Sequence, residues 1–126
     1  MAKTILIVDD DVAFQKTMAA KLEALTYKVV SAMDGEEGFN KAVSEKPDLI
    51  LLDMKMPKLD GIGFLKKIKA RGEKPEIPTL ITSNLSTTDK ISEGIAFGVK
   101  GYIVKSDETL ETIVKEVEDI LNAPNK

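Results

Sequence analysis

One stretch, Asp48-Leu49-Ile50-Leu51-Leu52-Asp53, limits what this chain can fold into more than any other. Four consecutive large aliphatics at strand length read as a strand buried on both faces, which is the signature of a parallel sheet covered on both sides. The run stops at a carboxylate. An ionised acid is costly in that apolar environment without a partner, so Asp53 is expected where the strand emerges, at its carboxyl end. Open α/β sheets place their chemistry along that edge.

The same pattern recurs along the chain. Ile5-Leu6-Ile7-Val8 reads as a first buried strand and ends in Asp9-Asp10-Asp11. Phe14, Met18, Leu22 and Leu25 follow at helical spacing as one apolar stripe. Lys28-Val29-Val30-Ser31 is a short second strand, with nothing chemically obvious at its end in Ser31-Ala32. Asp34 with Glu37 three residues on reads as a capping box opening a second helix, which turns Phe39, Ala42 and Val43 inward and closes before Pro47.

Beyond the central strand, Pro57-Lys58-Leu59-Asp60-Gly61 has turn chemistry and leads to a third helix carrying Phe64, Leu65 and Ile68. Thr79-Leu80-Ile81-Thr82 is a fourth strand ending at Ser83, and Tyr102-Ile103-Val104 a fifth ending at Lys105. Ile91 and Ile95 mark a fourth helix, which Gly94 and Gly98 weaken. The last helix carries Leu110, Ile113, Val114, Val117, Ile120 and Leu121 on one face and is stopped by Pro124. Five strands alternating with five helices predict a three-layer, doubly wound α/β fold.

At 126 residues the expectation is a single domain over 1–126. A net charge of −3 with dispersed basic residues argues against nucleic acid as a direct partner. Without cysteine or histidine the chain has no disulfide, thiolate or imidazole chemistry of its own. No apolar run approaches the roughly 18 residues of a membrane span, and Met1-Ala2-Lys3-Thr4 enters a strand directly, so a cytoplasmic protein is expected.

In a parallel sheet the strand ends converge, bringing Asp9, Asp10, Asp53, Ser83 and Lys105 to one edge. Crowded carboxylates repel, and a hard divalent cation such as Mg²⁺, which often also binds phosphate, relieves that repulsion. A carboxylate is also a competent nucleophile toward phosphoryl groups. A lysine neutralises phosphate oxygens and a hydroxyl donates to them.

Asp9-Asp10-Asp11 after Ile-Val, Asp53-Met-Lys-Met-Pro57-Lys-Leu-Asp60-Gly61, Ser83 and Gly101-Tyr102-Ile-Val-Lys105 together resemble the receiver domain of bacterial two-component response regulators. The intervals are 43, 30 and 22 residues from Asp10 to Asp53 to Ser83 to Lys105. The resemblance implies the flavodoxin-like strand order 2-1-3-4-5, which is the order general principles give for the chemotaxis member of this family. It implies that Asp53 accepts a phosphoryl group from a histidine on a sensor kinase. Asp10, Asp53 and the Lys55 carbonyl would bind Mg²⁺ directly, with Asp9 acting through a water. Ser83 and Lys105 would contact the phosphoryl group. Tyr102 would swing inward as Ser83 moves, remodelling a face made by the fourth helix, fifth strand and last helix for a downstream protein target.

The resemblance is to a stand-alone, chemotaxis-regulator-like switch with no output domain in the chain, catalysing only its own phosphorylation and dephosphorylation. Two alternatives are a haloacid dehalogenase-like Mg²⁺-dependent phosphohydrolase and a flavodoxin-like binding module. Against the first, Asp53-Met54-Lys55 lacks a second acid. Against the second, three acids stand where a phosphate loop would be.

Three positions depart from the family pattern. Ser106 follows Lys105 where proline is usual, Asn84 follows Ser83 where a small residue is usual, and Asp11 adds a third acid that reads as a helix N-cap. The resemblance implies that Lys55 and Leu85 flank the approach to Asp53; neither can activate a hydrolytic water, so a long-lived phosphorylated state is expected.

Overall fold

The structure is a computed structural model and describes residues 2–54, 56, 58–72, 76–83 and 97–123. Five strands, β1 (Thr4–Val8), β2 (Lys28–Ala32), β3 (Leu49–Leu52), β4 (Thr79–Ser83) and β5 (Gly101–Val104), pair in parallel in the order β2-β1-β3-β4-β5. Among the described residues the α-helices are α1 (Val12–Ala24), α2 (Gly35–Glu45), α3 (Gly61–Ala70) and a C-terminal helix (Leu110–Leu121). The fold is thus the doubly wound α/β sandwich that the alternating runs predict. The helix expected around Ile91 and Ile95 lies outside the described residues, as do Lys55, Pro57, Asn84, Leu85 and Pro124.

The sheet splits the core in two, following the period-two alternation of strands. On one face Ile5, Ile7, Leu49, Leu51, Leu80 and Ile103 pack against α1 and the C-terminal helix. On the other, Leu6, Val8, Ile50, Leu52 and Ile81 pack against α2 and α3. All four residues of β3, like Ile5–Val8 of β1, are fully buried, which is why both strands read as unbroken aliphatic runs.

The apolar stripe of α1 stops at Leu22. Leu25 has left helical geometry as the C-cap and is 43% exposed, so it does not belong to the core. The forward half of the capping box is present, with Asp34 accepting from Glu37 N at 2.8 Å, while Glu37 reaches one residue past the cap and accepts from Met33 N at 2.7 Å. These backbone donors hold both carboxyls below their ordinary values.

Gly38 sets how closely α2 approaches the sheet. A Cβ there would lie 2.7 Å from Val8 Cγ1 and 2.9 Å from Val8 Cγ2, both on a buried strand. Alanine gains about 1 kcal/mol of helix propensity over glycine, whereas forcing a methyl into a packed core costs about 1–3 kcal/mol. Gly38→Ala is therefore expected to lower the urea midpoint, with a net loss of up to about 2 kcal/mol. A midpoint at or above that of the wild type would show that α2 can move away from Val8 at no cost.

Candidate functional site

The carboxyl edge of the sheet gathers the acids. One carboxylate oxygen from each of Asp9, Asp10 and Asp53 lies within 4.8 Å of the others. Asp9 is 1% exposed and Asp53 8% exposed, while Asp10 faces solvent. Backbone bonds hold the two buried acids in register: Asp53 N donates to Val8 O at 2.9 Å, and Asp9 N donates to Ala32 O at 3.0 Å. An all-oxygen set of two buried acids and one exposed acid suits a hard cation that keeps some of its water, so these residues fit Mg²⁺.

Asp9 is held on both carboxylate oxygens. Its Oδ1 accepts from Asp11 N at 2.9 Å, and its Oδ2 accepts from Lys105 Nζ at 2.5 Å. Burial pushes the Asp9 carboxyl above its ordinary value. The Lys105 hydrogen bond, the Asp11 N–H and the Lys105 charge pull it back, and the Asp11 charge adds to the rise. Lys105 thus already serves the acid cluster as an internal cation, a partnership the sequence did not indicate. The ammonium also lies 4.2 Å from the centre of the Phe14 ring.

Asp11 has the role its position suggests. It caps α1 by accepting from Phe14 N at 3.1 Å. Gln15, one residue on, is 4% exposed, and its Nε2 lies 2.9 Å from Ile7 O, 3.1 Å from Asp9 O and 2.9 Å from Ala32 O. It ties the ends of β1 and β2 together beneath the acids. The second strand therefore contributes its last carbonyl to the site, although its side chains offer nothing. The available signal was Gln15 standing at helical spacing with Met18 and Leu22, a polar residue in an apolar stripe.

Ser83, fully buried, and Tyr102, half-buried, meet through a side-chain hydrogen bond. Burial raises the Tyr102 pKa; the Ser83 bond lowers it, and the Asp53 charge raises it again, so the phenol lies within the field of that carboxylate. Gly61 fixes the backbone beside Asp53. A Cβ there would lie 2.7 Å from Met54 Cα and 2.8 Å from Asp53 O, and its N–H donates to Met54 O at 3.0 Å. The sequence therefore places Asp9, Asp10, Asp53, Ser83 and Lys105 on one edge, and the structure puts them there, with Tyr102 inside β5 opposite Ile81. Lys55 lies outside the described residues.

The response regulator receiver domain family model matches residues 5–118. The chain belongs to that family. Among curated relatives, the alkaline phosphatase synthesis transcriptional regulatory protein of Bacillus subtilis is 42% identical over 106 residues, covering 83% of this chain and 43% of that protein. A DNA-binding dual master transcriptional regulator of Synechocystis is 32% identical over 111 residues, covering 88% of this chain and 46% of that protein. The chain spans less than half the length of either relative.

Among solved structures, a receiver domain protein from Methanospirillum hungatei superposes with a TM-score of 0.88 at 27% identity, covering 97% of this chain and 95% of that one. A chemotaxis protein of Vibrio cholerae gives 0.86 at 28% identity, covering 95% and 99%. The assignment is to the receiver family rather than to haloacid dehalogenase-like hydrolases or flavodoxin-like modules. Among the described residues no helix is long and apolar enough to cross a membrane.

The effect of the Asp53 charge on Tyr102 has a pH signature. The chain has two tyrosines, and burial raises both, with Glu118 adding to Tyr27 and Asp53 to Tyr102. Alkaline titration of the phenol absorbance is expected to show both ionising above about 10. Asp53→Asn removes the charge that opposes the Tyr102 phenolate, so one of the two transitions should move to lower pH. Superimposable curves would separate Tyr102 from the acid pocket.

Proposed function

We propose that this receiver domain is a phosphorylation-operated switch in which Asp53 accepts a phosphoryl group from a histidine of a sensor kinase with Mg²⁺ bound at Asp9, Asp10 and Asp53. The observation that carries it is the convergence of those carboxylates within 4.8 Å at the strand ends, with Lys105 paired into them. An Asp53 carboxylate oxygen forms the new bond to phosphorus as the donor's nitrogen leaves. The metal supplies charge neutralisation for the acids and the phosphoryl oxygens.

Around that centre the chain's own groups have separate tasks. Asp10, exposed, meets the incoming ion, while Asp9 is fixed by Asp11 N and Lys105 and acts from behind. The Lys55 carbonyl completes the oxygen set by resemblance to the family. Lys105 neutralises the transferred group, and Ser83 donates to it. When Ser83 turns toward the phosphoryl group its bond with Tyr102 changes, biasing the surface formed by β5 and the C-terminal helix. That surface is the binding face for a downstream protein; the resemblance adds to it the segment around Ile91 and Ile95, which lies outside the described residues. The only chemistry the domain catalyses is its own phosphorylation and dephosphorylation.

Acetyl phosphate with Mg²⁺ is expected to add one phosphate to the wild type and none to Asp53→Asn, read by intact mass. Equal labelling of the two proteins would place the acceptor elsewhere.

Mg²⁺ alone should stabilise the wild type, because it binds the folded acid cluster and relieves its repulsion. At ten times its dissociation constant the gain is about 1.4 kcal/mol, and thermal melts should show it diminished in Asp10→Asn. Melts that coincide with and without Mg²⁺ would remove the metal from the site.

A further inference from the structure

We propose that Phe14 is a positioning residue whose ring holds the Lys105 ammonium against Asp9, so that Lys105 stays at the acid cluster and competes there with the metal. This inference rests on the reading of Asp9, Asp10 and Asp53 as a Mg²⁺ site. It concerns what this chain's own side chains do at that site before an ion arrives.

The geometry is a closed ring of contacts. Asp9 accepts from Asp11 N at 2.9 Å, the Asp11 carboxylate accepts from Phe14 N at 3.1 Å, the Phe14 ring centre lies 4.2 Å from Lys105 Nζ, and that ammonium returns to Asp9 at 2.5 Å. Lys105 is bonded to a residue 96 positions away, from a strand that β3 and β4 separate from β1. Its side chain is only 11% exposed. Among the described residues Asp9 is its single hydrogen-bond acceptor.

An ammonium has three donors, and a π face is the neighbour that offsets lost water without taking a specific donor. Such contacts strengthen as they are desolvated. Asp11, the acid beyond the usual pair, orients the ring by capping the helix that carries it.

The competing reading is that Phe14 only fills the core between α1 and the sheet, to which it does belong. The two readings part over what happens when the π face is lost but the volume is kept. Asp11, Ala13, Phe14, Thr17, Lys105, Ser106 and Leu110 line an open cleft of about 320 Å³ beside the site. An ammonium released from the ring can move into it, taking positive charge away from the acids. Mg²⁺ then meets less repulsion, while the phosphoryl group loses a cation held nearby. A volume role moves neither quantity in that opposed sense.

The test uses wild type, Phe14→Leu, Phe14→Met and Phe14→Trp, each also in a Lys105→Ala background. Mg²⁺ affinity is read by calorimetry, and phosphorylation by acetyl phosphate is followed at saturating Mg²⁺. In the wild type, the Lys105 ε-methylene protons should resonate upfield of ordinary lysine through the ring current, a measurement that needs no variant. Leucine and methionine are expected to tighten Mg²⁺ binding about 2- to 10-fold while slowing phosphorylation, and tryptophan to restore both. None of the ring substitutions should matter once Lys105 is alanine.

An ordinary Lys105 proton shift in the wild type overturns the proposal, as does unchanged Mg²⁺ affinity in both aliphatic variants. A Phe14 effect that survives Lys105→Ala also overturns it. A wild type that binds Mg²⁺ with these outcomes leaves the metal site standing and removes Phe14 alone. A wild type that does not bind Mg²⁺ removes both.

Discussion

The carboxyl edge of this domain depends on keeping one carboxylate, Asp9, ionised where water hardly reaches it. A buried charge left uncompensated would neutralise itself or open the structure. The chain meets this with one neighbouring backbone donor, Asp11 N, and one distant cation, Lys105 Nζ, on opposite oxygens of the same group. Burial still outweighs them, and the carboxyl titrates above its ordinary value.

The parts that hold Asp9 also organise the strands. Its backbone N–H closes on Ala32 at the end of β2, while Asp53 N closes on Val8 at the end of β1. Gln15 reaches up from α1 to three carbonyls at the same level. The acids are thus carried on strand ends cross-tied by hydrogen bonds rather than on loose loops, and rigid support of this kind gives a site its precision. Gly61 adds a steric condition on the far side of Asp53, since α3 begins with its first residue pressed on the backbone of Met54.

Much of this was legible in the sequence, for identifiable reasons. A strand of four large aliphatics with no polar alternation reads as buried on both faces, so Leu49–Leu52 declared itself, and a carboxylate ending such a run marks the edge where it emerges. Asp34 and Glu37 announced α2 because a capping box needs those residue types at that spacing. What stayed hidden was the pairing between side chains brought together only by topology. Nothing local in Lys105 distinguishes an ammonium bound to Asp9 from one reserved for phosphate. Ala32 escaped notice because its contribution is a carbonyl, which every residue has. Leu25 was misplaced because an apolar periodicity does not say where the helix ends, and the helix ends one residue before it.

The two faces of the sheet divide the work at Asp53. Lys105 and Asp9 are engaged with Phe14, which belongs to the core shared by α1 and the C-terminal helix. Tyr102 packs against the opposite core, with α2 and α3, and bonds to Ser83 at the end of β4. Asp53 sits between them, its backbone tied to β1 and its charge felt by the Tyr102 phenol. In the proposed switch, a change of charge on that one residue acts on both layers at once, through the Lys105 ammonium on one side and the Ser83–Tyr102 pair on the other. Packed cores respond to such a pull by exchanging one arrangement for another rather than by deforming gradually. A single modified side chain at a rigid edge can in this way alter a surface several residues away without any movement of the sheet itself.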